Sequence, residues 1–482
     1  MLARCAPASS RSPAWAGSSP RAPFAPLVAC AVAPLVACGH GAGAGDAGDA
    51  APRPADGPPL APDTPFTTWL RARVPSGARV VVDGGAIRVL HAVVAGDTFA
   101  SIARLYADVT DVYAIADLAS EIEKSAGPLS PGGRIAIPRV LAAPYEEARP
   151  GGLGWPEDGA LRGIFLTGAY ARSFWVPSLD KVAARKMNAV VLDAKDYEGP
   201  VNYPTKAKIA VEIGATPKDP PVPDLARAIR FAHARGVRVI LRIPCFHDPL
   251  AAAKAPRLAV PSARGGALKI GWLDPTNEEA QGYVLELVQE AIDAGADEVQ
   301  LDYVRFPVDG PVNEMKLPPP SKGQRIRVIR DLVRRAHALT SKANAALSLD
   351  VFGVAATGER SDWEALGQDI SVLGRECEAL SPMVYPSHYD RGYRGYAEPG
   401  AHPEIVGIGT RAAVAHLPRA KGRAVIRSWL QAFKWRAPNY GPKYLVEEAR
   451  QAEANGGVGW LMWSPSNDYS AAWAGFPPIA RR

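Results

Sequence analysis

Eight apolar segments recur through the last two thirds of the chain, each followed by sequence with helical spacing. They run Leu161 to Gly168, Asn188 to Lys195, Val237 to Pro244, Glu298 to Arg305, Ala346 to Gly353, Ala379 to Pro386, Ala424 to Gln431 and Gly457 to Ser464. Short runs apolar on both faces predict strands of a buried parallel sheet. The segments between them carry helix punctuation. Thr276-Asn-Glu-Glu279 predicts a capping box, Tyr283, Val284, Leu287, Val288, Ala291 and Ile292 share one helical face, and Gly295 follows the end. The helix opening at Pro223 places Leu225, Ala228, Ile229 and Ala232 on one side and stops at Gly236. A parallel neighbour is reached only through a crossover, so eight such units predict an α/β fold closed into a (β/α)8 TIM barrel over residues 160–470. The rival, an open doubly wound sheet, would place a Gly-rich phosphate turn after its first strand, and Leu166-Thr-Gly-Ala-Tyr-Ala171 has no such form.

Upstream the pattern differs. Residues 38–65 are Gly, Ala, Pro and Asp with almost nothing to bury, which predicts a flexible linker. A compact unit follows over residues 87–141, with a strand at Val89 to Val93, helix starts at Gly96-Asp97-Thr98, a second helix, and Leu129-Ser-Pro-Gly-Gly-Arg-Ile-Ala-Ile-Pro138. At the N-terminus, Arg4, Arg11 and Arg21 precede an uncharged stretch from Phe24 to Ala37 that ends in Leu35-Val-Ala-Cys38-Gly39. This resembles a lipoprotein signal peptide over residues 1–37, with Cys38 as the lipidated first residue. The similar site at Cys30 has too short an apolar run before it.

Composition narrows the function classes. Of 482 residues, 47% are hydrophobic and 22% charged, which suits a globular enzyme. Removing residues 1–37, with three Arg and no acids, takes the net charge from +6 to +3, so no nucleic-acid partner is expected. No other segment reaches the roughly 18 consecutive apolar residues of a membrane span, so the expected contact with the membrane is the lipid anchor alone. Beyond Cys38 the remaining thiols are Cys245 and Cys377, with no metal-ligand spacing, and neither a metal nor a cofactor is called for.

The candidate chemistry lies where strands end in acids. Asp193, Asp302 and Asp350 close the second, fourth and fifth strands, and the carboxyl ends of strands form the active-site rim of such barrels. Strand alternation places Gln300 with Asp302, Asp193 with Lys195, and Ser348 with Asp350. Arg242, Arg305, Tyr385, His388, Gln431, Trp463 and Lys195 are the candidate substrate contacts. Trp272, Tyr389, Tyr393, Trp429, Trp435 and Tyr440 also lie on or after strand ends, and aromatic faces beside carboxylates, amides and Arg suit sugar rings. Each residue has a plainer reading. Asp302 would serve as an ion-pair partner of Arg305 or Arg242, Asp350 as a hydrogen-bond acceptor, and Asp193 as the internal partner of Lys195. His388 fits a proton shuttle or a helix cap equally well, while Asp248, Asp274 and Asp369 read as caps or turn formers.

Two resemblances sharpen this picture. His91-Ala-Val-Val-Ala-Gly-Asp-Thr98 and Leu129 to Pro138 resemble the two ends of a LysM domain, which implies a βααβ fold that binds glycans such as peptidoglycan. Gly163-Ile-Phe-Leu-Thr-Gly168, Gln300-Leu-Asp-Tyr-Val-Arg-Phe-Pro307, Asp350-Val-Phe-Gly353, Ser381-Pro-Met-Val-Tyr-Pro-Ser-His-Tyr389 and Trp463-Ser-Pro-Ser-Asn467 resemble a bacterial family of glycoside-hydrolase barrels whose activity is itself inferred. That resemblance implies Asp302 and Asp350 as the catalytic pair, with Asp193 as alternate. The whole chain then reads as a cell-envelope lipoprotein held on peptidoglycan while its barrel cleaves a polysaccharide. The alternative is a non-catalytic glycan-binding or wall-organising lipoprotein with a degenerate barrel.

Overall fold

A computed structural model describes residues 58–185, 187–418 and 424–479. Cys38 and the leader lie outside the described residues.

The first part of the described chain is a small α/β unit. After the helix Pro65–Arg71, strands β1 (Arg79–Asp83) and β2 (Ala86–Ala92) pair antiparallel, and β3 (Arg134–Ala136) pairs antiparallel with β2. The helices Phe99–Tyr106 and Ile115–Ala126 connect β2 to β3. Thr98 caps the first of them, accepting from the Ser101 N–H at 3.0 Å. Leu70, Val80, Val89, Ile102, Tyr106, Leu118, Ile122 and Ile135 form a core of their own. The strand β1, which precedes residue 87, pairs with β2 in the same sheet. The Arg227 guanidinium donates to the carbonyls of Tyr113 (2.7 Å) and Val112, and Tyr113 packs edge-on against Phe231.

The second part holds nine parallel strands. They are β4 (Leu161–Leu166), β5 (Ala189–Asp193), β6 (Arg238–Pro244), β7 (Glu298–Asp302), β8 (Ala346–Phe352), β9 (Ala379–Met383), β10 (Val425–Ile426), β11 (Trp429–Gln431) and β12 (Gly459–Trp463). Their order is β10-β9-β8-β7-β6-β5-β4-β12-β11. The two outermost strands are successive pieces of one chain passage, separated only by Arg427 and Ser428. The Arg427 N–H donates to the Leu380 carbonyl (2.9 Å) and the Leu461 N–H to the Ser428 carbonyl (3.1 Å), so this passage touches both ends of the sheet. The sheet is curled, consistent with a TIM-like barrel. The seventh predicted strand is interrupted at Arg427 and Ser428, where the Arg427 side chain makes a buried ion pair with Glu298 and the Ser428 hydroxyl meets that of Thr410 at 2.7 Å.

Period-two alternation divides the buried residues into two cores. Val190, Leu192, Val239, Leu241, Val299, Leu301, Leu347 and Leu349 pack with the helices. Leu161, Phe165, Ala189, Val191, Ile240, Tyr385, Trp429 and Leu461 form a separate cluster. Asp193, Arg242, Gln300, Asp302, Ser348 and Asp350 carry the parity of this second set, so the strands that bury Leu and Val outward bury polar groups inward.

Helix boundaries follow local chemistry. The helix Glu278–Asp293 is capped by Asn277, whose side chain accepts from the N–H groups of Glu279 (2.9 Å) and Ala280 (3.1 Å). Thr276, expected as the cap, instead binds Asp274 through both its N–H and its hydroxyl. Asp224, Asp248 and Asp369 cap the helices Leu225–His233, Pro249–Lys254 and Ile370–Leu373. Gly459, at φ +75°, opens β12 where an added Cβ would lie 2.1 Å from the Leu161 carbonyl oxygen. Gly459→Ala combines a left-handed backbone with a clash in the β4–β12 ladder. It should destabilise the fold by more than about 1 kcal/mol, read as a lower midpoint in urea.

Candidate active site

Parallel register sets the acids side by side. Asp193 pairs with Arg242 across β5 and β6, Pro244 with Asp302 across β6 and β7, and Asp350 with Ser381 across β8 and β9. Arg242 is the hub. Its Nη1 donates to Asp193 Oδ1 at 2.6 Å, and its Nε and Nη2 donate to Asp302 Oδ2 at 3.0 and 2.5 Å. Its Nε also lies 3.7 Å from Asp350 Oδ2. Two oxygens at 3.0 and 3.7 Å from one nitrogen are at most about 7 Å apart, so Asp302 and Asp350 lie side by side on one guanidinium.

The two carboxyls of that pair differ in their surroundings. Asp302 is held by Arg242 on Oδ2 and by the Tyr303 N–H on Oδ1 (2.6 Å). Tyr303 sits at φ +48°, a costly conformation for a bulky residue, and this turn aims its N–H back at Asp302. Asp350 accepts from the Trp429 indole at 2.6 Å on Oδ1, while its Oδ2 makes no hydrogen bond. Burial and then the neighbouring charge of Asp302 push the Asp350 carboxyl well above the ordinary carboxylate range, against the pull of Arg242. Burial thus favours the protonated form of Asp350, while Asp302 faces the guanidinium. Side-chain exposure is 7% for Asp302, 10% for Arg242 and 1% for Asp350, so all three are buried and Asp350 is the most enclosed.

Asp193 behaves differently again. Burial raises it from 3.8 to about 7 although Arg242 pulls the other way. Between those two values the folded chain holds a proton that the unfolded chain has released. The stabilising contribution is complete below the unfolded value and is lost as pH rises through 7. In Asp193→Asn that slope disappears, so the melting temperature of the variant minus that of wild type should grow more positive between pH 4 and pH 8.

The remaining predicted residues fall into two groups. Tyr385 and Trp463 stack at 5.6 Å, with Phe433 edge-on to both and His388 5.1 Å from Tyr385. Burial and the positive charge of Arg436 push the His388 imidazole below its usual value, which keeps it neutral near pH 7. The other group is engaged elsewhere. Lys195 is buried against Asp248 (3.1 Å) and donates to the Pro244 carbonyl (3.0 Å), so its ion-pair partner is Asp248 and not Asp193. Arg305 does not turn onto the carboxylates. It lies between the rings of Trp272 (4.7 Å) and Phe352 (4.5 Å), with Nη1 on the Phe306 carbonyl. Gln431 is fully buried, accepting from the Ser387 N–H at 3.0 Å and donating to the carbonyls of Phe433 and Trp435, both at 3.1 Å.

Several mouth residues were not singled out in the sequence. Tyr197, His247 and Tyr303 stack in succession, His247 lying 5.9 Å from Tyr197 and 5.0 Å from Tyr303, with Trp272 edge-on to both His247 and Tyr303. Phe165 packs under Arg242 at 5.4 Å. The signal that could have found them is position, since each lies in the last residues of a barrel strand or in the segment after it. Among the described residues no group of His, Cys, Asp and Glu is arranged to hold a metal ion, and no helix is long and apolar enough to cross a membrane.

Residues 163–469 match the family described as "Putative glycosyl hydrolase domain". The chain belongs to that family. The glycosyl hydrolase domain spans the stretch from β4 to just beyond β12, so all three acids and Arg242 lie within it. A hypothetical protein from Ruminiclostridium thermocellum ATCC 27405 is 31% identical, covering 39% of this chain and 97% of that one with a TM-score of 0.35. The PgaB (BpsB) glycoside hydrolase domain from Bordetella bronchiseptica is 16% identical, covering 67% and 99% with a TM-score of 0.49. The spore cortex-lytic enzyme SleL from Bacillus megaterium QM B1551 is 12% identical, covering 82% and 87% with a TM-score of 0.40. No curated protein matches the chain.

Proposed function

We propose that the barrel hydrolyses glycosidic bonds of a polysaccharide, with Asp350 as general acid and Asp302 as nucleophile or base. The observation that carries this reading is the unlike pair itself: an Asp350 whose burial favours the protonated form and whose Oδ2 makes no hydrogen bond, beside an Asp302 fixed by Arg242 and the Tyr303 N–H. Glycoside hydrolysis needs such a division, one carboxyl to protonate the leaving oxygen and one carboxylate to attack the anomeric carbon or to activate water. Membership of the glycosyl hydrolase family supports the same class. Trp463, partly exposed and stacked on the buried Tyr385, supplies an aromatic ring of the kind on which sugars stack.

Around this barrel we place the remaining parts of the chain. The unit over residues 87–141 is a LysM-type module that holds peptidoglycan, supported by its β2-helix-helix-β3 order and by the His91 and Leu129 motifs. Lipid at Cys38 tethers the protein to the bacterial envelope membrane, supported by the sequence before it. One observation favours the non-catalytic alternative, which is that Arg242 engages all three acids at once and could serve only to neutralise them. Incubation with peptidoglycan, exopolysaccharide and α-glucans decides between the two. Release of reducing sugar by wild type, absent from Asp302→Asn and Asp350→Asn that still bind the glycan, supports hydrolysis. Binding by wild type with no release from any of them supports the alternative.

A further inference from the structure

The segments that follow β9 and β11 enclose a second feature on the rim that carries the acids. A cleft of about 490 Å³, within the roughly 300–1,000 Å³ of small-molecule sites, is lined by Arg391, Glu398, Gly400, Lys434, Arg436 and Ala437. Its charge is unbalanced. Arg391 pairs with Glu398 at 2.7 Å, whereas Lys434 and Arg436 have no carboxylate partner among the described residues. A run of rings leads from it to Tyr385: Tyr385 to His388 at 5.1 Å, His388 to Trp435 at 5.3 Å, and the Arg436 guanidinium over Trp435 at 5.2 Å. Trp435 does not line the cleft itself but stands between the lining residues Lys434 and Arg436 in the chain, 55% exposed, a large apolar ring left in solvent.

The loop bearing these groups is held in place, not loose. Gln431 fixes the carbonyls of Phe433 and Trp435 from below, and the Ala437 N–H closes a turn on the Lys434 carbonyl at 3.0 Å. Arg436 is forced to φ +49°, and its carbonyl presses so closely on Gly400 that an added Cβ there would lie 1.8 Å from it. Backbone strain of this kind, kept by surrounding contacts, concentrates at ligand-binding sites.

Resting on the reading of this mouth as a glycan site, we propose that the cleft is a subsite for an anionic sugar unit, with Trp435 as stacking platform and Lys434 and Arg436 as partners of its acidic group. The substrate is then an acidic polysaccharide, its negative group a carboxylate or a phosphate. A neutral sugar would leave both cations unpaired, and an aminosugar with a free amine would be repelled.

The test measures binding of the full chain carrying Asp302→Asn to polygalacturonate, alginate and a glycerol-phosphate wall polymer, each against a neutral polymer: the carboxyl-reduced form for the first two and an uncharged glucan for the third. At least tenfold tighter binding of one acidic polymer is expected, weakening with salt. Adding Lys434→Gln with Arg436→Asn should collapse that preference to about unity, while the LysM-like module stays the same in both proteins. Asn is chosen at 436 because it tolerates the left-handed backbone. Gly400→Ala, which displaces the Arg436 carbonyl without altering charge, should lower the preference as well. Equal binding of acidic and neutral forms throughout overturns the subsite, as does a preference that survives both charge substitutions. Sugar release by wild type is scored separately. Acidic preference without release overturns hydrolysis alone, and release with no acidic preference overturns the subsite alone.

Discussion

Arg242→Met should lower the stability of the barrel by about 3–5 kcal/mol, the cost typical of removing one partner from a buried ion pair, and should abolish sugar release with it. The guanidinium lies within hydrogen-bonding or ion-pairing distance of Asp193, Asp302 and Asp350, all of them buried. Methionine fills much of the space but leaves three acids facing one another with no positive charge among them. They can relieve this only by binding protons, so the deficit should shrink as pH falls from 8 to 5 in denaturant titrations. Two further variants separate charge from packing. Adding Asp193→Asn and Asp350→Asn to Arg242→Met should restore a large part of the stability without restoring turnover. A deficit that stays constant with pH and is not relieved by those additions would mean that Arg242 acts by packing against Phe165 alone.

Much of this architecture is legible in the sequence because the physics behind it is local. Each of the eight predicted apolar segments contains strand residues, and acids at strand ends are visible wherever a strand stops. The hub is harder to read. Which acids Arg242 meets depends on the register of β6 against β5 and β7, and nothing within Arg238–Pro244 encodes that register. Lys195 illustrates the same point, since its partner Asp248 caps a helix after the next strand and reaches it only once the loops have folded back. Gln431 looks like a sugar contact on a rim strand, yet its amide is occupied by three main-chain groups of the surrounding loops. The strand β1, by contrast, was within reach. Arg79-Val-Val-Val-Asp83 followed by Gly84-Gly85 is a hairpin signal, and both glycines adopt the positive φ such a turn requires.

Asp350→Asn should reduce sugar release by about 10²–10⁴-fold, the range attributed to a positioned acid, and Asp302→Asn should leave no measurable turnover if Asp302 is the nucleophile. The two variants part on their response to the leaving group. An aryl glycoside with an acidic phenol needs little protonation, so Asp350→Asn should recover much of its rate on such a substrate while Asp302→Asn does not. The pH profile gives an independent reading. Asp350 must be protonated to act, and burial together with the charge of Asp302 holds its proton to well above the ordinary carboxylate range. Turnover by wild type should therefore persist above the ordinary carboxylate range and fall as pH rises through that elevated value, with the alkaline fall missing from the residual activity of Asp350→Asn. Trp429→Phe removes the indole that donates to Asp350 Oδ1 at 2.6 Å, a bond that favours the ionised form. Its loss should move the alkaline limb to still higher pH. Movement toward lower pH, or an alkaline limb retained in Asp350→Asn, would assign the proton donor to another group, and Asp193, held up to about 7, is the one whose substitution should then be examined next.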